Sequence, residues 1–145
     1  MFQDYVCSLN SKFPIHGTFK IRNGRELSNK VREYRVPDKP GVYLIYKESI
    51  DPENLIYIGK AGTMKTDGSF KNQGLSGRLC AKQEGKPRSK FFQEVMDRFA
   101  IQTLCFQWFV TFADHTKVLP VKAEADLIQS YYDTYGRLPS LNKDV

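Results

Sequence analysis

Two short apolar runs, Val42-Tyr43-Leu44-Ile45-Tyr46 and Leu55-Ile56-Tyr57-Ile58, flank a polar stretch from Lys47 to Asn54 that carries Asp51-Pro52. Runs of this length, rich in β-branched and aromatic residues, are strands, and a polar interval holding proline is a turn. The pair predicts a β-hairpin with one tyrosine on each strand. Tyr43 ends Gly41-Val42-Tyr43 and Tyr57 opens Tyr57-Ile58-Gly59, fourteen positions later. A third strand is predicted at 104–112. There Leu104, Phe106, Trp108, Val110 and Phe112 alternate onto one face, as a half-buried strand requires.

Helical spacing accounts for most of the rest. Leu27, Val31 and Tyr34 predict a short helix over 26–35, closed by Pro37 and Pro40. Residues 60–74, rich in Gly, Lys, Thr and Asn, read as a long loop. Ser76 reads as the N-cap of a helix reaching about Gln83. Ser89 is placed to cap the next, whose apolar stripe is Phe91, Phe92, Val95, Met96 and Phe99. The last helix runs from Pro120, a good first-turn residue, to Tyr135, with Gly136 as its C-terminal cap. The expected fold is α/β (α+β), a small three-stranded antiparallel sheet flanked by helices. Residues 1–36 are expected as an N-terminal extension and 37–145 as the domain.

At 145 residues the chain is long enough to bury a real core. No apolar run approaches the ~20 residues of a membrane span, and Met1-Phe2-Gln3-Asp4-Tyr5 does not begin a secretory signal. Cys7, Cys80 and Cys105 are odd in number and far apart, which supports neither a disulfide framework nor a zinc knuckle. A reduced, cytoplasmic protein is expected. The net charge is +6, and residues 60–90 alone, with eight bases and two acids, account for as much. A basic stretch of this kind suits a polyphosphate partner, although a solvated lysine-rich loop would have the same composition.

Among groups that could carry chemistry, Glu124 is the sharpest. Leu127, Ile128, Tyr131 and Tyr135 follow it at helical spacing, so its carboxylate shares the buried stripe of the last helix. An acid on an apolar face is costly unless it is paired or bound to a cation. A hard ion such as Mg²⁺ is held by one or two carboxylates with water and phosphate. The plainer alternative is a first-turn acid favoured by the helix dipole. Arg78, in Leu75-Ser76-Gly77-Arg78-Leu79, could meet a phosphate bidentately or stand exposed. Lys60 could add a second positive group or simply end a strand. Tyr43 and Tyr57 could be core residues, or phenols whose pKa nearby cations depress. Asn142 reads most simply as a loop residue. No phosphate-binding glycine loop and no serine-hydrolase elbow occurs, and His16 and His115 stand apart.

The ordered set Tyr43, Tyr57-Ile58-Gly59, Arg78, Glu124 and Asn142 resembles the GIY-YIG nuclease family over about residues 39–143. That resemblance implies a three-stranded antiparallel sheet with flanking helices. It also implies an endonuclease that hydrolyses DNA phosphodiester bonds with Mg²⁺ or Mn²⁺. By the resemblance Glu124 is the metal ligand and Tyr43 the general base or water-orienting group. Arg78 steadies the scissile phosphate, Tyr57 and Lys60 assist, and Asn142 shapes the site. Lys65, Lys71, Lys82, Lys86 and Arg88 form the expected DNA-binding set. The chain departs from the family pattern at Lys82, where many members have histidine four residues after the arginine. A domain this small would cut both strands as a homodimer or in two successive events. The alternative is a nucleic-acid-binding module that has the fold without the cutting.

Overall fold

The computed structural model describes residues 1–71, 74–80, 82–83 and 86–145, without the side chains of Lys82, Gln83 and Lys86. The expected hairpin is β2 (Gly41–Lys47) with β3 (Leu55–Ala61), and the long alternating run is β6 (Leu104–Val110). A further strand, β1 (His16–Ile21), pairs antiparallel with β6, so the main sheet has four strands in the order β1-β6-β2-β3. This corrects the three-stranded expectation. The fourth strand comes from residues 1–36, the segment read as an extension, and its His-Gly-Thr-Phe-Lys-Ile pattern holds only two large apolar residues. Gly17 sits there because the Trp108 ring crosses it: a Cβ would lie 2.7 Å from the indole.

Helices cover both faces. On one face α1 (Phe2–Lys12) and α5 (Pro120–Tyr135) bury Val6, Leu9, Leu127 and Tyr131 against Val42, Leu44, Ile58 and Phe109. On the other, α2 (Leu27–Glu33), α3 (Leu75–Leu79) and α4 (Arg88–Arg98) pack on Tyr43, Ile45, Phe106 and Trp108. Central strand β6 is therefore buried on both faces, with Cys105 and Phe109 on the α1 side, and not half-buried as its alternation predicts. Apolar residues on both faces of a strand are what a double helical cover demands.

Several local boundaries differ from expectation. Helix α5 matches, with Pro120 in the first turn and Gly136 at φ 71° closing it. Helix α3 starts at Leu75, with Gly74 before it, and ends at Leu79. Leu75 is fully buried and its N–H donates to the Lys39 carbonyl, while Asp38 Oδ1 accepts from the Gly77 N–H at 3.1 Å. A carboxylate from another segment thus supplies the cap that Ser76 was expected to supply. Residues 82–83 and 86–87 then form a two-residue ladder, β4 and β5, and 82–83 is strand where the helix was expected to continue. Residues 63–71 close a small hairpin pinned by Phe70, which meets Phe112 edge-to-face at 5.0 Å. Beyond it, β7 (Phe112–Ala113) and β8 (Thr116–Lys117) form a tight turn before α5.

No helix among the described residues is long and apolar enough to cross a membrane.

Candidate active site

The register of the hairpin decides which tyrosine faces what. Tyr43 pairs with Gly59 and Ile45 with Tyr57, so both phenols project from the face that α3 and α4 cover. Their rings stand 6.0 Å apart. The Tyr43 ring lies over the bare Cα of Gly59, and the whole side chain is excluded from solvent. Tyr57 is half-buried and borders open space.

Arg88, expected on the DNA-binding surface, is buried at 1% exposure. It is the first residue of α4 and precedes Phe91, Phe92 and Val95 at helical spacing, so it shares their inward stripe. That spacing was present in the sequence and is the same signal that singled out Glu124. Arg88 Nη2 donates to the Tyr43 phenol oxygen at 3.1 Å. Its guanidinium carbon lies 5.8 Å from the Tyr43 ring centre and 5.5 Å from that of Phe92. Nε has no hydrogen-bond partner among the described residues. The cation thus lies against two aromatic rings, whose quadrupoles favour a positive charge, and no carboxylate of the described residues pairs with it.

Three elements carry Glu124, Lys60, Arg78 and Tyr57. Glu124 stands in the first turns of α5, half-buried, and Lys60 on β3 and Arg78 on α3 are half-buried as well. Burial pushes the Glu124 carboxyl above its ordinary range, and the charges of Lys60 and Arg78 pull it back in part. Yet none of the three is in a hydrogen-bonded ion pair among the described residues. Lys60 and Arg78 act on Glu124 through their charge. Burial likewise pushes Tyr57 up to about 12, with Tyr43 adding to the rise, Arg88 opposing it and Glu124 adding. At neutral pH the Tyr57 phenol therefore keeps its proton and can donate a hydrogen bond.

Asn142 reaches the site by clamping its edge strand. Its Oδ1 accepts from the Ile58 N–H and its Nδ2 donates to the Ile58 carbonyl, both at 2.9 Å. The Leu141 N–H donates to the Ile56 carbonyl at 2.9 Å. The C-terminal segment thereby satisfies the outer edge of β3. It also forms one wall of a groove of about 640 Å³, which Tyr57, Phe91, Arg98, Phe99 and Leu141 line with it. Sequence reasoning did not anticipate this groove, because its two walls are far apart in the chain.

Of the other expected DNA contacts, Lys65 and Lys71 are exposed on the 63–71 hairpin. The side chains of Lys82 and Lys86 lie outside the described residues. No cluster of three or more His, Cys, Asp or Glu side chains suited to a metal occurs among the described residues. A cation at the Glu124 carboxylate would fill its shell from phosphate oxygens and water, the donor set that suits Mg²⁺. No family model matches the chain, and no curated protein or solved structure matches it.

Proposed function

We propose that this protein is a metal-dependent endonuclease that hydrolyses phosphodiester bonds in DNA. The observation that carries the reading is that Lys60 and Arg78 act by charge on Glu124 with no ion pair among the described residues joining them. One half-buried acid and two bases converge from α5, β3 and α3 without closing on one another. An acid and two bases left unpaired with one another suit a phosphodiester together with its cation.

In this reading Arg78 and Lys60 hold the non-bridging oxygens of the scissile phosphate. They oppose the negative charge that grows there as water attacks phosphorus and the P–O bond to the leaving sugar breaks. Glu124 would hold Mg²⁺, which would polarise the phosphate and stabilise developing charge. Tyr57, which Glu124 and Arg78 influence by charge, keeps its proton and would orient water or phosphate as a donor. The base role first expected for Tyr43 does not suit its position, since its hydroxyl is buried and already accepts from Arg88. Tyr43 instead backs the Tyr57 ring as a positioning residue.

Nicking of a supercoiled plasmid in Mg²⁺ tests the proposal. Glu124→Gln should lower the rate on the order of 10³-fold or more while gel-shift affinity for the same DNA is kept. Wild-type protein that binds DNA and never cuts it in Mg²⁺ or Mn²⁺ would favour a binding module.

A further inference from the structure

A second basic surface lies beside the site, and it is built by the N-terminal residues. Between α2 and α3 runs a groove of about 690 Å³ whose lining includes Arg32, Arg35, Ser28, Ser76, Gly77 and Cys80. Arg32 and Arg35 are exposed, and neither has a hydrogen-bonded or ion-paired side chain among the described residues. Residues 20–35 hold six bases and two acids. Both acids are engaged elsewhere: Glu26 accepts from the Arg22 N–H and Glu33 pairs with Lys30 at 3.2 Å. The nearby Asp38 accepts from Gly77. Among the described residues no carboxylate lines the groove.

The backbone holds one of these arginines in place against its own preference. Helix α2 ends with the Val36 N–H donating to the Val31 carbonyl, and Arg35 sits at φ 53°. This left-handed position at a helix C-terminus favours glycine. An arginine there is turned out over the groove by the main chain itself.

We infer that this groove carries the phosphate backbone of bound DNA away from the cleavage site, an inference that rests on the nuclease reading above. Ser76 and Cys80 face the groove, whereas Arg78, rotated by ~100° per residue around α3, lies on the opposite side of the helix, where its charge acts on Glu124 and Tyr57. The two basic surfaces are therefore separated by one helix, ~10 Å across, which is about three nucleotide steps of ~3.4 Å. A strand whose scissile phosphate rests on Arg78 would lay a phosphate a few nucleotides away between Arg32 and Arg35. Sequence-independent contacts of this kind fix the register of the duplex on the protein.

Two measurements test it, both on the whole protein with a short mixed-sequence duplex in EDTA, so that nothing is cut. The first is the salt dependence of binding. Arg32→Gln with Arg35→Gly should make the slope of log K against log salt shallower by about 1.8, at ~0.9 for each phosphate that is no longer neutralised. Arg32→Lys with Arg35→Lys should keep the wild-type slope. The second uses wild-type protein. Saturating DNA should slow maleimide labelling of Cys80 in the groove by at least about tenfold, while exposed Cys7, on α1 across the sheet, reacts as before. An unchanged slope, or Cys80 labelled at its free rate under saturating DNA, overturns the inference and leaves the nuclease reading standing. Wild-type protein that binds no DNA overturns the nuclease reading itself.

Discussion

The ring of Tyr43 occupies the space where Gly59, its partner across the hairpin, would carry a side chain. A Cβ on Gly59 would sit 2.6 Å from Tyr43 Cζ and 2.6 Å from Tyr57 Cε2. The glycine of Tyr57-Ile58-Gly59 and the tyrosine of Gly41-Val42-Tyr43 are therefore one steric unit. Gly59 is needed for close approach and not for an unusual backbone angle. Gly59→Ala should cost about 1–3 kcal/mol of stability through overpacking. It should also reduce cutting, because Tyr57 is displaced along with Tyr43. Urea unfolding with a parallel nicking assay checks both, and a fully stable Gly59→Ala protein would contradict this packing.

Glu124→Gln should separate stability from activity. The native carboxyl titrates above the unfolded value because burial disfavours its charged form. A raised carboxyl pKa means that the folded state holds its proton more tightly than the unfolded chain. The wild type is then penalised once pH climbs past the unfolded value, ~4.3, and through the higher native one. Glutamine has no charge to bury. The variant should melt at or above the wild-type temperature at pH 7, with the difference vanishing below about pH 4. Thermal melts across that range provide the check, and a variant that melts lower at pH 7 would mean that Glu124 is a structural partner.

The two tyrosines should respond differently to loss of their hydroxyls. Tyr57→Phe should slow single-turnover cleavage by about 10²-fold, the usual scale of one positioned donor. The pH profile should keep its shape between about pH 6 and 10, since Tyr57 titrates near 12. Tyr43→Phe should act mainly on the fold. It strips the buried Arg88 of its Nη2 partner, which should cost about 1–3 kcal/mol. A pH profile that flattens in Tyr43→Phe would restore Tyr43 as the base.

At Asn142 the informative comparison is between aspartate and alanine. Asparagine gives the edge of β3 one donor and one acceptor. Asn142→Ala loses both bonds and exposes the Ile58 groups to water. Asn142→Asp keeps the acceptor but sets a carboxylate oxygen against the Ile58 carbonyl, so it should be the worse change at pH 7. Each hydrogen bond contributes ~1 kcal/mol, and the repulsion adds to the loss. Amide exchange at Ile58 should be faster in both variants, and fastest in the aspartate one.

No carboxylate among the described residues pairs with the buried Arg88, which raises the cost of keeping it. Arg88→Met, which fills similar volume between Tyr43 and Phe92, removes a buried cation but leaves the Tyr43 hydroxyl without its donor, so the two effects should offset to within about 1–3 kcal/mol. Cutting should fall, because Tyr43 and then Tyr57 lose their support. A strongly destabilised Arg88→Met protein would show the guanidinium to be a net structural contributor.

The sequence by itself determined the elements whose signals are local. The hairpin, the strand at 104–110 and the whole of α5 follow from residue period, β-branching, and a Pro and Gly at fitting ends. The inward direction of Glu124 follows too, because helical spacing ties it to Leu127 and Ile128. Arg88 shares the same spacing with Phe91 and Phe92. Its burial was legible in principle, yet charge alone assigned it to the surface.

Tertiary structure decided what depends on partners distant in sequence. Strand β1 has too few apolar residues to declare itself, and it is a strand because β6 offers it a hydrogen-bonding edge and Trp108 a surface across Gly17. The side of the sheet that Tyr57 faces depends on hairpin register, and a shift of one residue would turn it away from Tyr43. The cap of α3 came from Asp38, and the role of Asn142 came from Ile58, 84 positions away. Local sequence carries period and propensity. Which polar group satisfies which edge, and which charges meet across a gap, is settled only when the layers close on one another.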